Sequence, residues 1–298
     1  MRQLHLPVAL LAALLAAPAG AQWFVDSSAP AAGGGGACTD YTGSMVALWH
    51  LEETSGTRVN DTGTTCGSDC NLLDNNTVTS GTGKEGTNAA SFDVANDEYL
   101  DCNKSTTCEE IETGAMESSA WSYGMWLNAD VQNTQSSWIF MPAGENGSSL
   151  LLYENRWGTP NYEVQCFIPG GTNAESDTAI EVGAWHHYVC AWANDADDEV
   201  NIYYDGEAQT AGSLTTNLTF VAEQEDTRLS RSGVSGFDGL SDEVFVTDVE
   251  LTAAQACYIC SCGVDGLLCT GTTTYTDSGR NTADCGSCTL PDCDAVAP

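Results

Sequence analysis

The stretch WHHYVCAWANDADDEVNIYYDG, residues 185–206, decides the fold. Cys190 and Trp192 follow a period of two before the acidic segment 194–198, and Ile202 and Tyr204 resume that period after it. Two such runs around a polar turn predict a β-hairpin with an acidic tip. The dipeptide Asp-Gly at 205–206 then supplies a second turn, because both residue types tolerate positive φ. This stretch therefore predicts antiparallel β-structure.

Short apolar runs of the same kind recur from residue 43 to residue 258. They are rich in β-branched and aromatic residues and are bounded by turn-forming residues, as in antiparallel sandwiches. About 215 residues is an ordinary length for one such domain. The N-cap residue Thr252 also predicts one short helix, through Ala256. The predicted strands are Ser44 to Leu51, Ala89 to Phe92, Glu98 to Cys102, Trp121 to Ala129, Trp138 to Met141, Leu150 to Tyr153, Tyr162 to Ile168, His187 to Ala193, Val200 to Tyr204 and Glu243 to Val246.

The first 21 residues have the pattern of a secretory signal peptide. Arg2 precedes the apolar run Leu6 to Ala17, and Ala19-Gly20-Ala21 has the small-residue pattern of a cleavage site. The run is shorter than the about 20 residues that a membrane span needs. We therefore expect cleavage before Gln22 and a secreted protein, extracellular or on the cell-envelope surface.

Composition divides the remaining chain into three parts. Residues 22–42 are rich in Ala, Ser, Pro and Gly, which is typical of a flexible linker. Residues 43–258 form the predicted sandwich. Residues 259–298 have few apolar residues and many cysteines, so we expect a small tail that disulfides hold together.

Fourteen cysteines in an exported chain favour disulfide bonds. We expect Cys166 to pair with Cys190, and Cys66 with Cys70, because each pair is close in sequence. The remaining connectivity stays open. The spacing Cys257-x2-Cys260 would also suit zinc, but the oxidising compartment favours disulfides there as well.

The charge balance restricts the partners. The chain has 42 acidic and 8 basic residues, for a formal net charge of −34. Such a surface repels nucleic acid and anionic membranes. Cations are the natural small partners. The alternative is an acidic surface that is only solvated, as in proteins from salty environments.

Six landmarks in order resemble the laminin-G-like, or concanavalin A-like, jelly-roll family. The resemblance implies an all-β, antiparallel two-sheet jelly-roll sandwich, to which the small disulfide-rich C-terminal tail is added. A departure from the family pattern is the missing glycine after Asp93. The landmarks are the strand Val46 to Leu51 with Asp61 after it, the segment Gly86 to Leu100, the strand Trp121 to Leu127, Trp185-His186-His187, the turn Tyr204-Asp205-Gly206, and Asp242-Glu243-Val244 before Leu251 to Ala254.

The resemblance also implies a calcium site at one edge of the sandwich. Calcium takes six to eight oxygen ligands at about 2.3 to 2.6 Å, supplied by carboxylates and carbonyls. The candidate ligands are Asp61, Asn96, Asp97 and Asp242. In the alternative, Asp242 and Glu243 cap turns, and Glu53 pairs with an arginine. The chain has no D-x-D-x-D-G loop to support the calcium site independently.

A second candidate site would bind carbohydrate. Sugars present apolar ring faces that stack on aromatic rings, and their hydroxyls bond to amide and carboxylate groups. The turn-rich segment from Tyr153 to Tyr162 has this mixture, with Asn155 as an amide and Trp157 as the preferred stacking residue. The alternative for Trp157 is a place in the core. Trp49, Trp126, Trp185 and Trp192 lie on strands, and we expect them in or near the core.

Catalysis is the third candidate, and we expect none. Glycoside hydrolases need two carboxylates about 5 to 9.5 Å apart, and no predicted strand carries acidic residues at i, i+2 and i+4. His186 and His187 are adjacent on a strand and should point to opposite faces.

The sequence therefore predicts a secreted, non-catalytic module that binds polysaccharide or glycoconjugate, with calcium as its cofactor. The first alternative is a structural or adhesive extracellular protein with a protein partner. The remote alternative is a glycoside hydrolase.

Overall fold

The computed structural model describes residues 45–61, 70–102, 111, 120–131, 137–141, 151–154, 163–167, 173–193, 199–213, 226–231, 233 and 236–263. The predicted signal peptide, the linker and nearly all of the Cys-rich tail lie outside these residues, and the domain boundaries stay predictions. Among the described residues, no helix has the length and apolar character needed to cross a membrane.

Sixteen strands and one α-helix form the described part of the chain. They are β1 (Met45–Trp49), β2 (Leu73–Asn75), β3 (Thr79–Thr82), β4 (Asn88–Phe92), β5 (Tyr99–Cys102), β6 (Ala120–Ala129), β7 (Ser137–Met141), β8 (Leu151–Glu154), β9 (Glu163–Phe167), β10 (Ala174–Ala179), β11 (Trp185–Ala193), β12 (Glu199–Tyr204), β13 (Glu207–Ala208), β14 (Gly212–Ser213), β15 (Thr227–Leu229), β16 (Gly239–Thr247) and α1 (Ala253–Cys262).

The strands form two antiparallel sheets. The first sheet has the order β13-β12-β11-β6-β16-β4-β3, with β1 beside β16 and β14 beside β12. The second has the order β10-β9-β8-β7-β15-β5-β2. This confirms the predicted all-β jelly-roll sandwich.

The core lies between the two sheets, and alternate residues of each strand enter it. Trp121, Tyr123 and Met125 of β6 are fully buried there, as are Tyr188 and Cys190 of β11. Trp49 and Trp192 also lie in this core, as predicted.

A disulfide joins the sheets through this core. Cys166 of β9 bonds to Cys190 of β11, which confirms the predicted pair. Cys70, Cys257 and Cys260 are disulfide-bonded too, which favours the disulfide interpretation of the Cys257-x2-Cys260 spacing over zinc. Cys66 lies outside the described residues, so its pairing stays a prediction.

Helix α1 packs on the outer face of the first sheet. It begins where predicted: the Thr252 side chain accepts a hydrogen bond from the Gln255 backbone N–H, and the Gln255 side chain accepts one from the Thr252 backbone N–H. The helix is longer than predicted and ends at Cys262, because Ala256 and Ile259 are buried against the sheet. Tertiary packing, not helix propensity, sets this length.

The hairpin predicted within residues 185–206 has the expected pairing. Cys190 lies opposite Ile202, and Trp192 lies opposite Val200, although the acidic tip at 194–198 is outside the described residues. Asp205 and Gly206 both have positive φ, at 49° and 79°. The turn therefore uses the conformational tolerance that the sequence predicted.

Candidate functional site

The outer face of the second sheet carries polar side chains. In β5, Leu100 and Cys102 enter the core, so Tyr99 and Asp101 lie on the opposite face. Arg228 is the cross-strand partner of Asp101. The second-sheet face, as we call it, comprises the described residues Leu73, Asn75, Tyr99, Asp101, Glu163, Gln165, Glu175 and Arg228.

Gln165 is the centre of a hydrogen-bond chain on this face. Its side-chain amide is 1% exposed although it lies outside the core. Asn173 Nδ2 donates to Gln165 Oε1 over 3.0 Å, and Gln165 Nε2 donates to Glu175 Oε1. Burial raises the pKa of the Glu175 carboxyl, and the nearby Glu163 raises it further. This chain fixes the directions in which amide and carboxylate groups point.

A second polar group lies further along the face. The Arg228 guanidinium lies 5.5 Å from the centre of the Tyr99 ring, and its Nη2 is 3.5 Å from Asp226 Oδ2. Asn75 Nδ2 donates to Asp101 Oδ1 over 2.9 Å, and burial raises the pKa of the Asp101 carboxyl. An aromatic ring, a guanidinium, a carboxylate and an amide therefore adjoin on one sheet.

The predicted sugar-binding segment begins on the same sheet. Tyr153 lies in β8, where its register partners are Trp138 of β7 and Gln165 of β9. Asn155, Trp157 and Tyr162 lie outside the described residues. Sequence reasoning missed Gln165, Glu175 and Arg228. For β9 the signal was present, since polar Glu163 and Gln165 alternate with core residues Val164 and Cys166.

Asp242, a predicted calcium ligand, is completely buried and anchors a turn. Its Oδ2 accepts hydrogen bonds from the backbone N–H groups of Lys84 and Glu85, over 2.8 and 2.9 Å. Its Oδ1 accepts from the Glu243 backbone N–H over 3.0 Å. Burial raises the pKa of Asp242 well above its usual value, and the charge of Glu243 adds to this. This geometry is the turn-capping role given as the alternative.

Asn96 and Asp97 lie at the other end of β4. Asp97 Oδ1 accepts from the Gly233 backbone N–H over 2.7 Å, and Asn96 Nδ2 donates to Asp93 Oδ2 over 3.0 Å. They follow β4, whereas the turn bound by Asp242 precedes it.

Asp61, the fourth predicted ligand, belongs to the end of the sandwich that holds Asp242. Its backbone N–H donates to Leu48 O over 2.8 Å, and burial raises the pKa of its carboxyl. The structure therefore does not bring the four predicted ligands together. The described residues contain no group of three or more His, Cys, Asp or Glu residues that could hold a metal.

The adjacent histidines point to opposite faces, as predicted. His186 Nδ1 is 2.8 Å from Asp205 Oδ2 and 2.8 Å from the Tyr204 hydroxyl oxygen. His187 is buried on the outer face between Trp126 and Phe245, and burial lowers its pKa to about 3. Trp126 is also buried, whereas Trp185 is only partly buried beside it.

The family model of the concanavalin A-like lectin/glucanases superfamily matches residues 103–257. The chain belongs to this superfamily. No curated protein sequence matches it. This membership confirms the resemblance that the sequence landmarks indicated, and it covers both lectins and glucanases.

Two solved structures illustrate the likeness. Domain 4 of AbnA, a GH43 extracellular arabinanase from Geobacillus stearothermophilus in complex with arabinotriose, is 17% identical with a TM-score of 0.53, over 72% of this chain and 96% of that chain. A Trypanosoma rangeli sialidase, in complex with 2,3-difluoro-KDN, is 11% identical with a TM-score of 0.51. That match covers 79% of this chain and 35% of the sialidase. At these identities the likeness concerns the fold.

Proposed function

We propose that the protein is a secreted, non-catalytic module that binds polysaccharide or glycoconjugate through the second-sheet face and the segment 155–162, which follows β8 in the sequence. One observation carries the proposal. Gln165 is a buried amide outside the core, and Asn173 and Glu175 hold it in a fixed orientation. Burying a polar group is costly unless it is hydrogen-bonded. The buried Gln165 therefore acts by holding Asn173 and Glu175, which are partly exposed, and this supports a prepared binding surface.

The chemistry of the face suits sugars. Hydroxyl groups can donate to the carboxylates of Asp101 and Glu175, and amides can both donate and accept. Tyr153, the register partner of Gln165, begins the segment that contains Trp157. A site that combined the Trp157 ring with these polar groups would match the apolar face and the hydroxyls of a pyranose or furanose ring.

Binding without catalysis is supported by how the carboxylates are used. Glu175 accepts a hydrogen bond from Gln165, and Asp101 accepts one from Asn75. Hydrolysis needs a protonated acid and a base or nucleophile placed across the scissile bond. The neighbouring carboxylate groups of this face are arranged as hydrogen-bond acceptors, which supports a binding role.

The proposal is tested with the mature protein, residues 22–298, on an array of polysaccharides and glycans in calcium and again in EDTA. We expect retention of at least one glycan and no release of reducing ends from it. Loss of glycan binding in EDTA would support the predicted calcium cofactor, and equal binding in the two buffers would contradict it. If no glycan is retained in either buffer, the proposal fails and an adhesive protein with a protein partner becomes the better account.

Two variants locate the site. Trp157→Ala should weaken glycan binding by about tenfold or more, since the aromatic ring proposed to stack on the sugar is lost. Gln165→Glu should do the same, because it places a second carboxylate against Glu175. The matched control is Gln255→Glu, which adds the same charge at the N-terminus of α1, where glutamate also completes a capping box. Equal losses in Gln165→Glu and Gln255→Glu would contradict the assigned location.

A further inference from the structure

We infer that the ligand of the second-sheet face is an uncharged saccharide, and that the acidic residues of this face exclude uronic-acid and sulfated glycans. This inference rests on the proposed function and adds the ligand class to it.

Carboxylates outnumber cations on the described part of the face. Glu163 and Glu175 lie at the end formed by β9 and β10, and Asp101 lies on β5. Arg228 is the one cation among the described residues that define the face, and its guanidinium is already 3.5 Å from Asp226. The positive charge of Arg228 is therefore largely balanced before any ligand arrives.

The rest of the molecule adds to this local field. The chain carries a net charge of −34, so a polyanion is repelled during approach as well as at the face. Close like charges at an interface disfavour the wrong partner strongly. A neutral sugar meets no such penalty, because its hydroxyls donate hydrogen bonds to the same carboxylates.

The test is an array of neutral polysaccharides (arabinan, xylan, galactan and β-glucan) beside acidic ones (polygalacturonate, alginate, hyaluronate and heparin), at pH 8. We expect the tightest ligand to be neutral and its affinity to change less than about twofold between 50 and 500 mM NaCl, since screening acts on charged pairs. A tightest ligand that is acidic would overturn the inference and leave the proposed function standing. Retention of nothing would overturn both.

A charge-neutralised variant tests the cause. In Glu163→Gln/Glu175→Gln, a side-chain oxygen at 175 can still accept from Gln165, but two negative charges are gone. Binding of polygalacturonate relative to the best neutral ligand should rise by about tenfold. Glu199→Gln/Glu207→Gln, at exposed positions on β12 and β13 of the first sheet, removes the same two charges; it is the matched control and should leave the ratio unchanged. An unchanged ratio in the double variant would show that the face does not set the preference.

Discussion

The outer faces of the two sheets differ in what they bury. On the first sheet, α1 packs against apolar residues such as Val189 and Phe245, so this face is a second small core. On the second sheet, the outer face holds Gln165, Glu175 and Arg228 in hydrogen-bonded or ion-paired arrangements. The comparison teaches that the two outer faces of one sandwich can differ in kind, one forming a second apolar core and the other keeping polar side chains bonded to one another.

The largest expected effect comes from the covered face. Phe245 is completely buried there, and its ring occupies the space that a side chain at Gly124 would fill. Phe245→Ala should lower the free energy of unfolding by about 3–5 kcal/mol, because the cavity adds to the lost transfer free energy. Urea denaturation measures this. A loss below about 1 kcal/mol would mean that the covered face is not a packed core.

His187 makes the covered face sensitive to acid. Its pKa is about 3 in the folded protein against 6.5 for the free side chain, so the unfolded chain binds the proton first. Stability is therefore lost as the pH falls from about 6.5 toward 3, by about 2–3 kcal/mol at pH 4.5.

The reference for this effect is His187→Leu, which has a similar side-chain volume and lacks the titrating imidazole. Urea denaturation of both proteins at pH 7.5 and 4.5 should show that the unmodified protein loses more stability than the variant. Parallel losses in the two proteins would disprove the assignment, since the other titrating groups are common to both.

The N-cap of α1 should have a smaller effect. Thr252→Ala removes one side of the capping box and should cost about 1 kcal/mol. Thr252→Ser, which keeps the hydroxyl, should restore most of the loss in thermal denaturation. Failure of serine to restore it would point to the threonine methyl group instead of the cap.

The smallest effect is expected on the second-sheet face. Leu73 is 46% exposed on β2, so Leu73→Ser should change the free energy of unfolding by no more than about 0.5 kcal/mol. Leu48→Ser, at a buried position of the covered face, is its counterpart and should cost several times more. Comparable costs in urea denaturation would erase the distinction between the two faces.

The sequence predicted well those strands in which apolar residues alternate or run together. The strands around Trp121, Trp192 and Val244 were found because their side chains enter the core. Strands β2, β3 and β10 were missed, since Leu73-Asp74-Asn75, Thr79 to Thr82 and the polar run in β10 have few large apolar residues. Backbone pairing holds these strands in place: β3 pairs with β4, β10 with β9 and β2 with β5.

The candidate sites were less predictable than the fold. The calcium hypothesis grouped Asp242 with Asn96 and Asp97, but β4 separates them in the structure. The carbohydrate hypothesis named Tyr153, which the structure pairs with Gln165 in register, but it did not name Gln165. Which loops share an edge of the sandwich depends on the order of the strands in each sheet. The spacing of residues along the chain does not determine that order.

By itself the sequence determined the sandwich, the turn at Asp205-Gly206 and the start of the C-terminal helix. These features follow from local periodicity, cap chemistry and φ preferences. The tertiary structure decided that α1 covers the first sheet, that Asp242 binds the turn at Lys84 and Glu85, and that Gln165 and Arg228 share one face. Those features depend on contacts between residues far apart in the chain, which only the folded backbone brings together.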